Sequence, residues 1–352
     1  MQNMPFLTMQ LQLLDSNEYK GILITEHVRN NKQTMVRTVK QDFRLYLVAK
    51  MYYIDGMQQN EIARFFGITP MMISRLLERA KKEGIVTFQV RSPGKINWEM
   101  GLQIKKKYPG LREALVVMTE KGEDSREEIG AVAAEYVQDI LKEDDILGIS
   151  WGKSILSFVN ALNDSRFPNV KVVQMSGGFL YENRYEMMPA NIVKKASESL
   201  GAVPLFLNAP MFVPSESIKN ELMKDSLVQY AHELFGKMQI SIYGLSDLRQ
   251  ATSMKEVGII NSDEVEELLN LGAVGDVMGY FLNQKGEIVN WSRTPCYMGA
   301  SLPLAASAPN AICLATDADK ANILDIALTH HYANTVILSH DLASALLEQH
   351  KE

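Results

Sequence analysis

Residues 47–90 read LVAKMYYIDGMQQNEIARFFGITPMMISRLLERAKKEGIVTFQV, and the punctuation of this stretch decides the front of the chain. Gly67 closes one short apolar-faced run, and Thr69-Pro70 opens the next. Glycine takes the left-handed backbone that ends a helix at little cost. A threonine hydroxyl caps a following helix, and proline at its first position removes an N–H that would be unpaired anyway. The spacing predicts a short helix over 59–66, with Ile62, Ala63 and Phe66 on one face, and another starting at Pro70. In the latter, Ile73, Leu76, Leu77 and Ala80 recur at i, i+3, i+4 and i+7, which makes one buried stripe. Small Ala63 lets the two helices approach. Upstream, 42–55 predicts a further amphipathic helix that stops at Gly56. After Gly84 the alternating run 85–91 predicts a strand, so the module reads as a winged helix-turn-helix.

Charge supports that reading. Between Met35 and Lys95 lie eleven Lys or Arg and five Asp or Glu, a net +6, whereas the rest of the chain carries −12 and the whole −6. A basic module on an acidic body is what a polyanion-binding front end requires. The face opposite the buried stripe presents Met71, Ser74, Arg75, Glu78 and Lys82, and the start of such a helix enters the major groove of double-stranded DNA. Arg75 suits bidentate contact with guanine, Ser74 a phosphate or base, and Met71 and Met72 the thymine methyls. Thr69, Arg79 and Lys82 complete the candidate DNA-binding set. The bland alternative is a helical hairpin with charged outer faces.

The chain has 352 residues, which at ~150 residues per domain means two or three domains. A mean hydropathy of −0.10 and ordinary Gly and Pro counts, 22 and 12, exclude a disordered or collagen-like chain. No apolar run approaches ~18 residues, so no membrane partner is expected. The first residues lack a basic leader before an apolar core. Two cysteines, Cys296 and Cys313, provide neither a disulfide framework nor a zinc site, and the histidines show no ligand spacing. A reduced cytoplasmic protein without metal or cofactor is the expectation. The domains read as a 1–34 extension, arm or disordered tail; a 35–95 DNA-binding module; and a 96–352 body for effector binding and oligomerisation.

In that body, strand-like runs (114–118, 145–150, 170–175, 203–207, 238–243, 311–315, 335–338) alternate with helical ones (125–141, 155–162, 190–200, 263–271, 319–330, 341–348). Such alternation predicts an open α/β sheet covered on both faces, with ligands at the carboxyl ends of its strands. Three loops qualify. The first, Gly148-Ile149-Ser150-Trp151-Gly152-Lys153-Ser154, resembles a phosphate-binding loop one residue short of the nucleotide-hydrolase spacing. ATP hydrolysis is therefore not expected, but hydroxyls, a lysine and a helix start make an anion site. The second is Gln174-Met175-Ser176-Gly177-Gly178. The third is 272–279, where Asp276 can bind hydroxyls or act as a base. Each also reads as an ordinary structural turn, and no nucleophile with an identifiable base emerges.

The 47–90 stretch resembles the DNA-binding module of the SorC family of sugar-responsive transcriptional regulators. The body is similar to that family's sugar-binding domain through LGISWGKSI (147–155), VVQMSGG (172–178), LNAPMFV (207–213) and GAVGDVMGYFLNQKG (272–286). The resemblance implies a fold like that of sugar-phosphate isomerases and deaminases, homodimers or homotetramers on operator DNA, and an affinity tuned by a sugar or sugar phosphate. It places Ser150, Gly152, Lys153 and Ser154 at the phosphate, Gln174, Gly177 and Gly178 in a second effector loop, Asp276 on sugar hydroxyls, and Lys320 near the phosphate. Two features depart from the family pattern. Residues 314–320 read Leu-Ala-Thr-Asp-Ala-Asp-Lys where a Gly-Gly pair is common, and Gln58 stands where a Ser or Thr cap is usual. The expected function is control of a carbohydrate catabolic operon. The alternative is an isomerase- or deaminase-like enzyme with a DNA-binding appendix, although Gly279 occupies the neighbourhood where the deaminase pattern has a histidine.

Overall fold

The computed structural model describes residues 32–87, 96–118, 124–180, 185–250 and 252–349. The chain divides into two units, Met1–Arg91 and Ser92–Glu352. In the first unit, α1 (Lys32–Tyr53) begins ten residues before the start predicted from periodicity and includes the end of the expected extension. It is followed by α2 (Gln59–Phe66) and α3 (Pro70–Lys82), at the bounds the local signals predict. Gly67 is left-handed, with φ 63°, and the Thr69 hydroxyl accepts from the Met72 amide at 3.3 Å. Gln58 is no defect, because the Glu61 carboxylate accepts its amide at 2.9 Å and closes half a capping box. Leu45, Val48, Ala49, Ile62, Ala63, Ile73, Leu77 and Ala80 form the core of this unit. The predicted strand 85–91 finds Ile85 and Val86 in a bend, and 88–91 lies outside the described residues, as do 1–31.

The second unit is built on the parallel sheet that the strand-helix alternation predicts. Its strands are β1 (Glu113–Val117), β2 (Ile146–Ile149), β3 (Lys171–Gln174), β4 (Val203–Leu205), β5 (Ile240–Asp247), β8 (Asn310–Ala315) and β9 (Thr335–Ser339), with β6 (Ala273–Val277) and β7 (Tyr280–Asn283) as a hairpin beyond. The order β1-β9-β8-β5-β2-β3-β4 is parallel throughout. The helices are α4 (Trp98–Lys107), α5 (Arg126–Ile140), α6 (Lys153–Asn160), α7 (Pro189–Leu200), α8 (Glu216–Leu222), α9 (Ser226–Phe235), α10 (Ser253–Glu256), α11 (Ser262–Asn270), α12 (Leu302–Ala306), α13 (Ala321–Thr329) and α14 (His340–Glu348).

Strands buried on both faces need apolar residues at nearly every position, which is why they read as near-continuous runs. Side chains alternate between the faces. On β8, Ile312 and Leu314 pack with Ile129, Phe158 and Ile192 from α5, α6 and α7, whereas Ala311, Cys313 and Ala315 join Phe235, Ile323 and Leu342 on the other face. Where α5 crosses α6, Gly130 is required, because a Cβ there would lie 2.5 Å from the Ser157 carbonyl carbon.

The stretch 272–279 is not the loop predicted for it. Residues 273–277 are β6, which pairs antiparallel with the end of β5 (Ser246 opposite Asp276) and with β7. Met278 and Gly279, with φ 54° and 87°, make the two-residue turn between β6 and β7. Gly275, read as a loop glycine, is a close-approach residue: a Cβ would meet the Ser246 carbonyl oxygen at 2.4 Å and Ile323 at 2.8 Å.

Candidate functional site

On α3, Met71, Met72, Arg75, Arg79 and Lys82 are exposed and Ser74 is half-buried, so this candidate set shares the accessible side of one helix. Met71 and Met72 keep 66% and 48% of their surface in solvent. Two members already have duties inside the module. The Thr69 hydroxyl is the helix cap, and Arg79 bonds Glu83 at 2.6 Å. Arg75 and Lys82 make no ion pair among the described residues.

The second unit carries a cavity of ≈ 330 Å³ at the carboxyl ends of its central strands, a volume suited to a small metabolite. From the end of β2 come Ser150, Gly152, Lys153 and Ser154; from β5, Ser246 and Asp247; from β6, Asp276; and from the loop after β8, Asp317, Asp319 and Lys320. Arg126, at the start of α5, joins them. The geometry thus gathers the first predicted loop, Asp276 and Lys320 into one site. Gly152, with φ 121°, turns the chain from β2 into α6. The amides of Gly152, Lys153 and Ser154 donate to no group among the described residues, which leaves an open helix N-terminus in the cavity wall. Lys153 Nζ is held 2.5 Å from Glu256 of α10.

Asp276 is only 7% exposed. The Ser246 hydroxyl donates to one of its oxygens and the Gly279 amide to the other. Burial pushes its carboxyl above the ordinary range, while Ser246, Gly279 and the charge of Lys320 pull the other way. For Asp317 burial acts upward too, but Lys320, Thr316 and Arg126 overcome it and hold that carboxyl below the usual range. Asp319 is raised by burial and then by its neighbour Asp317.

The sign of the Asp276 shift sets a pH test. A carboxyl whose folded pKa is raised contributes its full stability below the unfolded value, about 4, and loses it as pH climbs through the raised value. The melting temperature of Asp276→Asn minus that of the parent should therefore grow as pH rises from about 4 towards neutrality. A flat difference would show that the carboxyl is not strained.

The second predicted loop stands apart. Gln174 is buried, and its Nε2 donates to the carbonyls of Ser176 (2.7 Å) and Leu207 (3.4 Å). Gly177 makes room for the backbone at Pro210, whose carbonyl oxygen would lie 2.3 Å from a Cβ, and its amide donates to Met298. Gly178 donates to Ala209. None of the three lines the cavity; Gln174 and Gly178 border a separate groove with Asn191 and Asn208. Conversely, Ser246 and Asp247 were not predicted, because the strand ending at 243 in the sequence reading runs on to 247. Following that strand to its polar end would have found them.

A parallel α/β domain with a polar pocket at its strand ends stands in one chain with a helix-turn-helix, the two parts of a DNA-binding protein with a candidate ligand pocket. Residues 95–348 match the family model described as "Putative sugar-binding domain", and the chain belongs to that family. The deoxyribonucleoside regulator of Bacillus subtilis is 27% identical over 85% of this chain and 95% of its own. The sorbitol operon regulator of Klebsiella pneumoniae is 26% identical over 87% and 98%. The crystal structure of that full-length regulator, SorC, superposes with a TM-score of 0.67 at 25% identity, over 88% of this chain and all of that one. The resemblance to SorC-type regulators is borne out, and with it the α/β fold class. These relatives carry the names of regulators, so the enzyme alternative is not favoured.

Proposed function

We propose that this chain is a cytoplasmic transcriptional regulator of a carbohydrate catabolic operon. It binds double-stranded operator DNA through α3 and responds to a sugar phosphate or a related small sugar or polyol. The observation that carries this reading is the cavity at the ends of β2, β5 and β8, where open amides, hydroxyls and carboxylates converge in a chain that also has a helix-turn-helix. Anions are held by the helix start and Lys153, and hydroxyls are read by Asp276. A homodimer or homotetramer presents two recognition helices to half-sites about one helical turn apart. Ligand favours one subunit arrangement by its differential affinity and so changes the fit to those half-sites. Among the described residues no helix is long and apolar enough to cross a membrane.

A thermal-shift screen of free and phosphorylated sugars tests the pocket. A ligand at 100 times its Kd should stabilise the protein by ~2.7 kcal/mol. Lys153→Ala should reduce the response to phosphorylated ligands directly, and Lys320→Ala should reduce it by leaving the Asp317 carboxylate unneutralised in the cavity wall. An unchanged response in both variants would move the binding site elsewhere.

A further inference from the structure

The cavity contains two positions suited to an anion, and the protein fills one of them itself. At the β2 side the amides of Gly152, Lys153 and Ser154 are open, and Ser150, only 3% exposed, presents to the cavity a hydroxyl without a hydrogen-bond partner among the described residues. At the β8 side, by contrast, donors already surround one carboxylate. Lys320 Nζ lies 2.8 Å from Asp317 Oδ2, the Thr316 hydroxyl donates to the same oxygen at 2.8 Å, and Arg126 Nη2 lies 3.6 Å from it. Two cations and a hydroxyl around one oxygen are the surroundings that a phosphate oxygen takes. Asp319 and Asp276 stand in the same wall, so a further anion there meets negative charge.

We infer that Asp317 is a built-in counter-anion that limits the ligand to a single phosphate. The pocket takes a small polyhydroxy compound whose one phosphate sits against the start of α6 and whose uncharged remainder reaches Asp276, and it rejects sugar bisphosphates. This rests on reading the cavity as the effector site. A second phosphate brings roughly −1.5 to −2 charges at neutral pH into a place whose donors are taken. Lys153, though paired with Glu256, leaves the α6 amides free, so the first phosphate has its place without breaking the Asp317 cluster.

The test is calorimetric titration and thermal shift on the full chain. The probes are ribose 5-phosphate, fructose 6-phosphate and sorbitol 6-phosphate, the bisphosphates ribulose 1,5-bisphosphate and fructose 1,6-bisphosphate, and the free sugars. At least one monophosphate should bind, with the bisphosphates tenfold or more weaker. Asp317→Asn keeps the side-chain volume, removes the charge, and should narrow that gap by tenfold or more. Bisphosphates binding as well as monophosphates, a ratio unmoved by Asp317→Asn, or binding by free sugars alone would each overturn the inference while the pocket stands. If no probe binds, or if binding survives both Lys153→Ala and Asp276→Asn, the effector-site reading itself fails, and the inference fails with it.

Discussion

Replacing Arg75 with alanine should weaken the regulator's preference for its operator, lowering specific affinity by ~1–3 kcal/mol while leaving binding to random duplex nearly unchanged. Arg75 is exposed on α3, about one and a half turns from the capped start, and is not tied up in an ion pair among the described residues. A guanidinium so placed can present two parallel donors to the O6 and N7 of guanine, and that is where discrimination arises. Lys82→Ala should behave differently. At the far end of the helix its ammonium can meet phosphate only as a point charge, so all sequences should lose affinity alike and the salt dependence should become shallower by about one counterion. Anisotropy titrations on operator and random duplexes at several salt concentrations separate the two. Equal losses on both duplexes for Arg75→Ala would remove its base-reading role.

The second large effect lies in the other unit. Gly275→Val should cost ~1–3 kcal/mol or more of stability and should also abolish the response to effector. The new side chain would collide with the Ser246 carbonyl oxygen, 2.4 Å from its Cβ, and with Ile323 of α13. Backbone cannot yield there as a flexible side chain would, so β6 must part from β5. That displaces Asp276 from Ser246, its partner across the β5–β6 pairing, and opens the pocket wall. Calorimetric melting with and without a binding sugar phosphate checks both parts. A stable variant that still responds would show that the β6 register does not matter to the site. Gly272→Ala offers a contrast, since nothing lies within 4 Å of a Cβ there and the cost comes only from its φ of 85°.

These two predictions also mark what the sequence makes legible. Helix-turn-helix bounds are written locally, in Gly67 and Thr69-Pro70, and the structure places α2 and α3 accordingly. Central strands are legible because burial on both faces leaves near-continuous apolar runs. Glycine is where legibility fails. Gly275 and Gly177 both read as loop residues open to a ligand, yet each serves the close approach of another backbone, and single-chain spacing does not distinguish the two uses. Small elements such as α8, which buries no residue, and α10, four residues long, carry too little periodicity to be recognised. The pocket was half legible. The rule that ligands meet strand ends finds Ser150 to Ser154, and the family resemblance alone supplies Lys320, but neither finds Ser246 and Asp247, because β5 runs past its apolar stretch to pair with β6. Arg126, the first residue of α5, lines the cavity too and is not among the residues the sequence singles out.

The coupling between pocket and DNA is most directly measured by titrating the full chain against duplex fragments of its own genome at low salt. The titration is run with and without a sugar phosphate that raises the melting temperature. A subset of fragments should bind roughly 10³-fold or more tighter than random duplex, and the ligand should shift that affinity by roughly 5- to 150-fold. No preference for any fragment, or a preference indifferent to every stabilising ligand, would contradict the division of labour between α3 and the strand-end pocket.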